Sequence, residues 1–341
     1  MDLSFTEEQE ALRGLAREVF AGHCTDERLR EIGSGSERYD LALWEALARA
    51  NVLGAGTPEA AGGIGGGLIE VCMVCEEAGR ATAPVPLGPA LVGALALARA
   101  GRTQEALAFV EGGAPVVPAL GDDPFTPTVI ARDDRLTGTV SFVPAAARAA
   151  AIIVPTDVGV FLVEPGSATV DRQQPTGTEP LYRVTLDGVP SEPIDLDHAS
   201  FAQTAIVALC AEQVGVAEAA LRLTAAYTSG REQFGKPIGS FQAVQQRAAD
   251  AYIDVEAMRW TMWEAAWRLD EGLAAAEHVE IAKVWASEGA ARVLAAAQHL
   301  HGGMGVDLDY PLHRYTFAAR RNELALGGAA PHLARLGDLI A

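Results

Sequence analysis

The sequence predicts an α+β chain, with helices gathered at both ends and a small antiparallel β domain between them. Three observations carry this. Apolar residues recur at helical spacing over about the first 112 residues. Short β-rich runs separated by Asp, Gly and Pro turns fill roughly 113–197, and helical patterning returns from 198 onward. Strands clustered in the middle, instead of alternating with helices, argue against a doubly wound parallel sheet. The expected domains are an α-helical one over 1–112, the β domain over 113–197 and a four-helix bundle over 198–341.

In chain order, Thr6 is an expected N-cap, with Glu7 and Glu8 in the first turn where the helix dipole and unpaired amides favour carboxylates. Leu12, Leu15, Val19 and Phe20 follow at helical spacing. A loop over 54–63, an apolar helix over 68–78 and a Pro-rich bend over 83–89 complete the first domain. The middle domain offers strands at 128–130, 151–154, 158–163 and 182–186. In the last domain Val244, Ala248, Ala251, Val255, Met258, Met262, Ala265 and Leu269 alternate steps of four and three, which marks a long helix buried along one side. A similar run from 281 to 300 supplies another helix.

The 341 residues are 49% hydrophobic, enough for packed cores, and their abundant Ala and Gly suit close helix packing. A formal charge of −19 argues against nucleic acid and anionic membranes as partners. Any phosphate site must therefore be a local basic patch. Four scattered cysteines make no disulfide framework, and Cys72-x-x-Cys75, on an apolar helical run with no second pair, reads as buried small hydrophobes. The N-terminus lacks a basic segment followed by an apolar one, and no uninterrupted apolar stretch is expected to span a bilayer. A cytoplasmic protein is the expectation. The run Gly62-Gly63-Ile64-Gly65-Gly66-Gly67 fails the G-x-G-x-x-G test at Leu68 and reads as a turn.

Three motifs remain: Arg231-Glu232-Gln233-Phe234-Gly235-Lys236-Pro237-Ile238, Phe241-Gln242-Ala243-Val244-Gln245 and His299-Leu300-His301-Gly302-Gly303-Met304-Gly305. In this order and spacing the chain resembles the acyl-CoA dehydrogenase family over essentially its whole length. The resemblance implies that family's fold, FAD as cofactor, an acyl-CoA substrate and an electron-transfer flavoprotein as acceptor. It makes Arg231 the contact to the FAD pyrophosphate of a neighbouring subunit and places Phe234 against the adenosine, with Gln242 in the same site. His299, Gly302 and Gly303 would lie along the adenine half of the dinucleotide. If the helix continues through them, Arg231 and Phe234 share a face. A guanidinium suits a diphosphate, and paired glycines let backbone approach a ligand. His299 and His301 form a lone H-x-H without further ligands nearby, so no metal is expected.

Elsewhere the chain departs from its relatives. Residues 118–124 lack the Thr-Glu-Pro segment that lines the flavin, and Ser141-Phe142-Val143-Pro144 replaces a Trp-x-Ser/Thr strand. Proline there has neither hydroxyl nor N–H to offer. The general base is missing too: counting from Gly302-Gly303, the usual glutamate falls on Leu326, and the alternative position on an earlier helix falls at or beside Ala205. Glu323 and Glu212 are the nearby carboxylates, each a helical turn or more out of place. The resemblance thus implies a subunit without a catalytic residue of its own. It would complete the shared FAD site of a homologous partner that carries the base, in an α2β2 enzyme, as in actinobacterial dehydrogenases acting on CoA thioesters of steroid side chains. Two alternatives stand beside it: a self-sufficient flavoenzyme with a displaced base or monooxygenase chemistry, and a non-enzymatic scaffold or acyl-CoA-binding protein.

Overall fold

A computed structural model describes residues 4–133, 135–175, 177 and 179–341. The first helical region comprises α1 (Glu7–His23), α2 (Asp26–Ser34), α3 (Leu41–Arg49), α4 (Leu68–Ala81), α5 (Leu87–Arg99) and α6 (Thr103–Val110). Thr6 caps α1 as expected. Its hydroxyl accepts from the Gln9 amide at 3.2 Å while the Gln9 side chain accepts from the Thr6 amide at 2.9 Å, a closed capping box. Leu12 and Phe20 are buried, but Leu15 is 40% exposed and Ala16 takes the inward position. A small residue lets α1 lie closer to its neighbours than the leucine spacing suggested.

The glycine-rich loop is a packing device. A Cβ on Gly63 would stand 2.1 Å from the Thr57 carbonyl oxygen, and one on Gly66 2.2 Å from that of Ala55. It delivers the chain to α4, whose Leu68 and Ile69 amides donate to the Asp270 carboxylate at 2.9 and 2.8 Å. These are orphan donors of a helix start, satisfied by a residue about two hundred positions downstream. Cys72 and Cys75 are fully buried and unbridged, and burial drives both thiol pKa values upward.

The β region is a pair of four-stranded sheets. One runs β1 (Val116–Pro118), β4 (Ala151–Pro155), β5 (Val160–Val163), β8 (Glu192–Ile194). The other runs β2 (Val129–Arg132), β3 (Arg135–Pro144), β7 (Leu181–Pro190), β6 (Thr169–Gln173). Among the described residues every pairing in these sheets is antiparallel except β1 with β4. That parallel pair arises because the β2–β3 hairpin crosses to the other sheet before the chain returns. Val117, Leu136, Ile152, Val154 and Val184 form the core between the sheets.

The last region holds α7 (His198–Gly230), a two-residue hairpin of β9 (Glu232–Gln233) and β10 (Lys236–Pro237), then α8 (Gln242–Asp270), α9 (Ala276–His301), α10 (Leu312–Leu324) and α11 (Ala329–Ile340). Helix α7 is the spine. A Cβ on Gly79 of α4 would lie 2.0 Å from the Glu212 carbonyl oxygen, and one on Gly215 of α7 1.9 Å from that of Glu76. The two backbones therefore touch through paired glycines. Although polar residues such as Glu212 and Gln213 interrupt it, α7 is long and apolar enough to cross a bilayer by length and composition, but 72% of its apolar window is buried inside the protein. On α8, Ala251, Val255, Met258, Met262 and Ala265 are buried as the seam predicts. Val244, Ala248 and Leu269 at its ends are only half-buried, because neighbouring helices do not cover its whole length.

Candidate functional site

The motif residues meet at one pole of the bundle, where α7 and α9 end and α8 begins. Helix α7 stops before Arg231, which is its C-cap with extended backbone; its amide donates to the Tyr227 carbonyl at 2.9 Å. The helix does not continue, so Arg231 and Phe234 do not share a helical face. The tip of the β9–β10 hairpin turns through Phe234 (φ 53°) and Gly235 (φ 77°), left-handed geometry that Gly235 makes accessible. Phe234 is 92% exposed, edge-on to Phe241 at 6.2 Å, and Lys236 sits 4.4 Å over the Phe241 ring. Arg231 is exposed and has no ion pair among the described residues, and Gln242 opens α8 facing solvent.

The end of α9 is fastened to the end of α7 by His301, a residue the sequence grouped with His299. His301 is buried, stacks on Tyr227 at 4.4 Å, hydrogen-bonds the Tyr310 hydroxyl at 3.0 Å and the Ala297 carbonyl at 2.8 Å. Burial pulls its pKa below the ordinary imidazole value. His299 instead faces solvent, so the two histidines of the H-x-H point into different surroundings. Gly302 (φ 59°, ψ −133°) then turns the chain through backbone open essentially to glycine alone, and it and Gly303 are exposed. All six candidates, Arg231, Phe234, Gln242, His299, Gly302 and Gly303, thus lie at the outer surface of this pole.

A separate cavity of about 620 Å³ lies between the β region and the bundle. Leu326 and Ala205, the two positions at which the sequence count expects a base, both line it. Pro118, Leu120, Phe142 and Pro144 line it as well, so the segments that lack the family's polar signatures form its β-side wall. A register shift between β3 and β7 spans Val140 to Val143, and Phe142 adopts φ 60°. Its amide donates to the Gln173 side-chain oxygen at 2.7 Å and is not free for a ligand.

Leu326 also has left-handed backbone, φ 57°, and its carbonyl accepts from the fully buried His332 at 2.8 Å. Lys283, buried beneath the same loop, donates to the carbonyls of Asn322 at 2.7 Å and Glu323 at 3.2 Å and closes the end of α10. Burial lowers the Lys283 pKa to about 8.

Of the displaced carboxylates, Glu323 pairs with Arg320 at 2.5 Å and does not line the cavity. Glu212 does line it, but accepts from Arg321 and from the Asn322 amide at 3.3 Å. Arg321 binds Glu179 with its other arm. Burial raises the Glu179 pKa, Arg321 opposes this, and the Glu212 charge adds to the rise. This Glu179–Arg321–Glu212 chain, which no sequence spacing announced, forms a wall between the cavity and a second chamber on its far side.

Residues 6–109 match the acyl-CoA dehydrogenase N-terminal domain and residues 201–338 the acyl-CoA dehydrogenase C-terminal domain. Acyl-CoA dehydrogenase FadE27 of Mycobacterium tuberculosis is 38% identical over 370 residues, spanning 100% of this chain and 99% of that protein. Among solved structures, the Tcur3481-Tcur3483 steroid ACAD G363A variant superposes with a TM-score of 0.93 at 41% identity, covering 98% of each chain. The ChsE4-ChsE5 complex from Mycobacterium tuberculosis gives 0.94 at 36% identity over 100% of this chain and 99% of that one.

Proposed function

The chain belongs to the acyl-CoA dehydrogenase family, and from that premise we propose that it is the non-catalytic subunit of a two-component enzyme. It completes the FAD site of a homologous partner in an α2β2 assembly and leaves proton abstraction to that partner. The reaction is the α,β-dehydrogenation of a CoA thioester, with electron-transfer flavoprotein as the acceptor. The likeness to structures named for a steroid ACAD and for a two-protein complex supports a bulky, steroid-type acyl group.

One observation carries this reading. The residues assigned to the adenine side all stand exposed at one pole, whereas the positions assigned to the base open as Leu326 and Ala205 onto a different, internal cavity. A site meant for a neighbour's ligand faces outward. A working site of its own would place a carboxylate inward.

The two halves fit FAD unequally. At the pole, the unpaired Arg231 guanidinium suits the pyrophosphate, the exposed Phe234 ring suits the adenosine, and the Gly302-Gly303 backbone allows close approach. In the internal cavity the Phe142 amide is already bonded, Pro144 has no N–H, and the Glu179 and Glu212 carboxylates occupy the wall, a poor match to a flavin ring. When bound at the partner's site, FAD supplies the hydride acceptor. This chain's residues bind and orient its adenine end. Exposed Tyr252, Ile253 and Trp260 on α8 add an apolar surface of the kind a partner covers.

The test is to purify the chain alone and co-expressed with a homologous dehydrogenase encoded beside it. The expected result is a colourless, inactive single chain and a yellow, active complex. A yellow, active isolated chain would favour the self-sufficient reading, for which Glu212 is the displaced carboxylate of the sequence count that lines the cavity. Its bonds to Arg321 and Asn322 favour a fixed ion-pair partner over a base.

A further inference from the structure

The chamber beyond the Arg321 wall belongs to neither half of that cofactor site. It has a volume of about 410 Å³, within the usual range for small-ligand pockets, and lies between α2, the turn before α5, and α10. In a chain of formal charge −19, its lining carries Arg30, Arg38, Arg314 and Arg321 against Glu179 and Glu212. Four positive charges less two negative leave +2, or +1 if Asp26, which holds Arg314 at 2.7 Å, is included. Tyr39, His313 and Phe317 contribute rings to the same lining.

Two of these cations retain donors. Arg30 is exposed and has no ion pair among the described residues. Arg38 is half-buried and gives one N–H to the Gly177 carbonyl at 3.2 Å. The backbone is unusual here too. Among the described residues, eight other than glycine have positive φ, and three of them, Arg38 (51°), Thr82 (44°) and Ala145 (50°), line this chamber. Non-glycine left-handed backbone persists where the surroundings fix it, and it concentrates at functional sites.

We propose that this chamber binds a small organic anion, a phosphate monoester joined to a planar or apolar body. The Arg30 and Arg38 guanidiniums, neither in an ion pair among the described residues, offset a phosphate dianion and match its oxygens, and the three rings flank the body. The same chemistry is offered by a simple phosphorylated metabolite and by the phosphorylated ribose of a nucleotide.

The test is calorimetric titration of the full-length chain at low salt with phenyl phosphate, adenosine 3′,5′-bisphosphate and phenol. Saturable one-to-one binding of at least one phosphate ester is expected, with phenol at least about tenfold weaker. Arg30→Gln and Arg38→Gln should each weaken binding by about ten- to a hundredfold, the usual loss for a charge-assisted contact. Arg132→Gln, on the β region, serves as the control and should change nothing. Arg30 is exposed and unpaired, so its variant keeps the test decisive even if Arg38→Gln folds poorly. Tighter binding of the bisphosphate supports the proposal with a nucleotide as source, and tighter phenyl phosphate supports it with a simple ester. Absence of saturation, unchanged affinity in Arg30→Gln, or phenol binding as well as its phosphate overturns it.

Discussion

His332 donates from Nε2 to the Leu326 carbonyl at 2.8 Å while its Nδ1 meets the Glu280 carboxylate at 2.5 Å. A fully buried ring on α11 thus holds Leu326, the position to which the sequence count assigns the base. Removing the ring leaves the buried Glu280 carboxylate with only the longer Arg335 contact at 3.4 Å and frees a left-handed loop residue. His332→Ala should therefore destabilise the fold by about 3 kcal/mol or more, as breaking a buried pair does. Denaturant unfolding measures this, and a change within about 0.5 kcal/mol would show that the contact carries little.

Arg231→Ala should loosen FAD in the co-expressed complex, although the partner is untouched. The loss expected for a charge-assisted contact is about ten- to a hundredfold. Arg231→Lys should restore only part of it, since a point charge lacks the bidentate fork. Flavin content per complex is the readout, and the exposed position means that the isolated chain's stability should stay within about 0.5 kcal/mol.

Leu326→Glu should not produce a dehydrogenase from the isolated chain. The cavity around it offers a β-side wall of Pro118, Leu120, Phe142 and Pro144, an amide already bonded to Gln173, and the Glu179 and Glu212 carboxylates. A carboxylate placed there is expected to titrate above its usual range. Turnover of an acyl-CoA by this variant without a partner would count against the shared-site reading.

Gly79→Ala and Gly215→Ala should each cost roughly 3 kcal/mol or more, because the added Cβ meets backbone oxygen at 2.0 and 1.9 Å. Thermal melts of the single variants, compared with Gly22→Ala, where a Cβ meets nothing, provide the check.

Alkaline stability should fall from about pH 9 upward, because burial raises the pKa of Cys72, Cys75 and Cys210 together. Cys210 is pushed up to about 12 from an ordinary value of 9.0 by burial. Between those values the folded chain holds a proton that the unfolded chain releases, so stability drops as pH rises. Lys283 acts in the opposite sense: its folded value of about 8 lies below the ordinary 10.5, so stability gains with pH across that window. Unfolding free energies across pH 8–12 should show a shallower fall in Cys210→Ala and a steeper one in Lys283→Met.

The helix–strand–helix order was legible because it depends on period and turn residues, which are local. Thr6 and the α8 seam are examples, and the Gly302-Gly303 turn was readable for the same reason. Whether the helix continues through Arg231 was not legible, since a hairpin of two-residue strands leaves hardly any periodic signal. The Glu179–Arg321–Glu212 wall and the His332–Leu326 contact were invisible because their partners lie far apart in sequence and meet only through packing. The base position illustrates both sides. Counting singles out Leu326 and Ala205 as expected positions, but only the fold brings the two onto one cavity.

The carboxylate of Asp270 that closes the start of α4 also sets a schedule for the nascent chain. During synthesis the Leu68 and Ile69 amides emerge about two hundred residues before their acceptor. Until α8 is complete, that helix end must stay hydrated or frayed, and the Gly79–Gly215 contact with α7 must wait as well. Fragments ending before residue 198 should therefore be poor folding units despite their many helices. The chain should gain its structure late and cooperatively, as loop-closure entropy over long separations dictates.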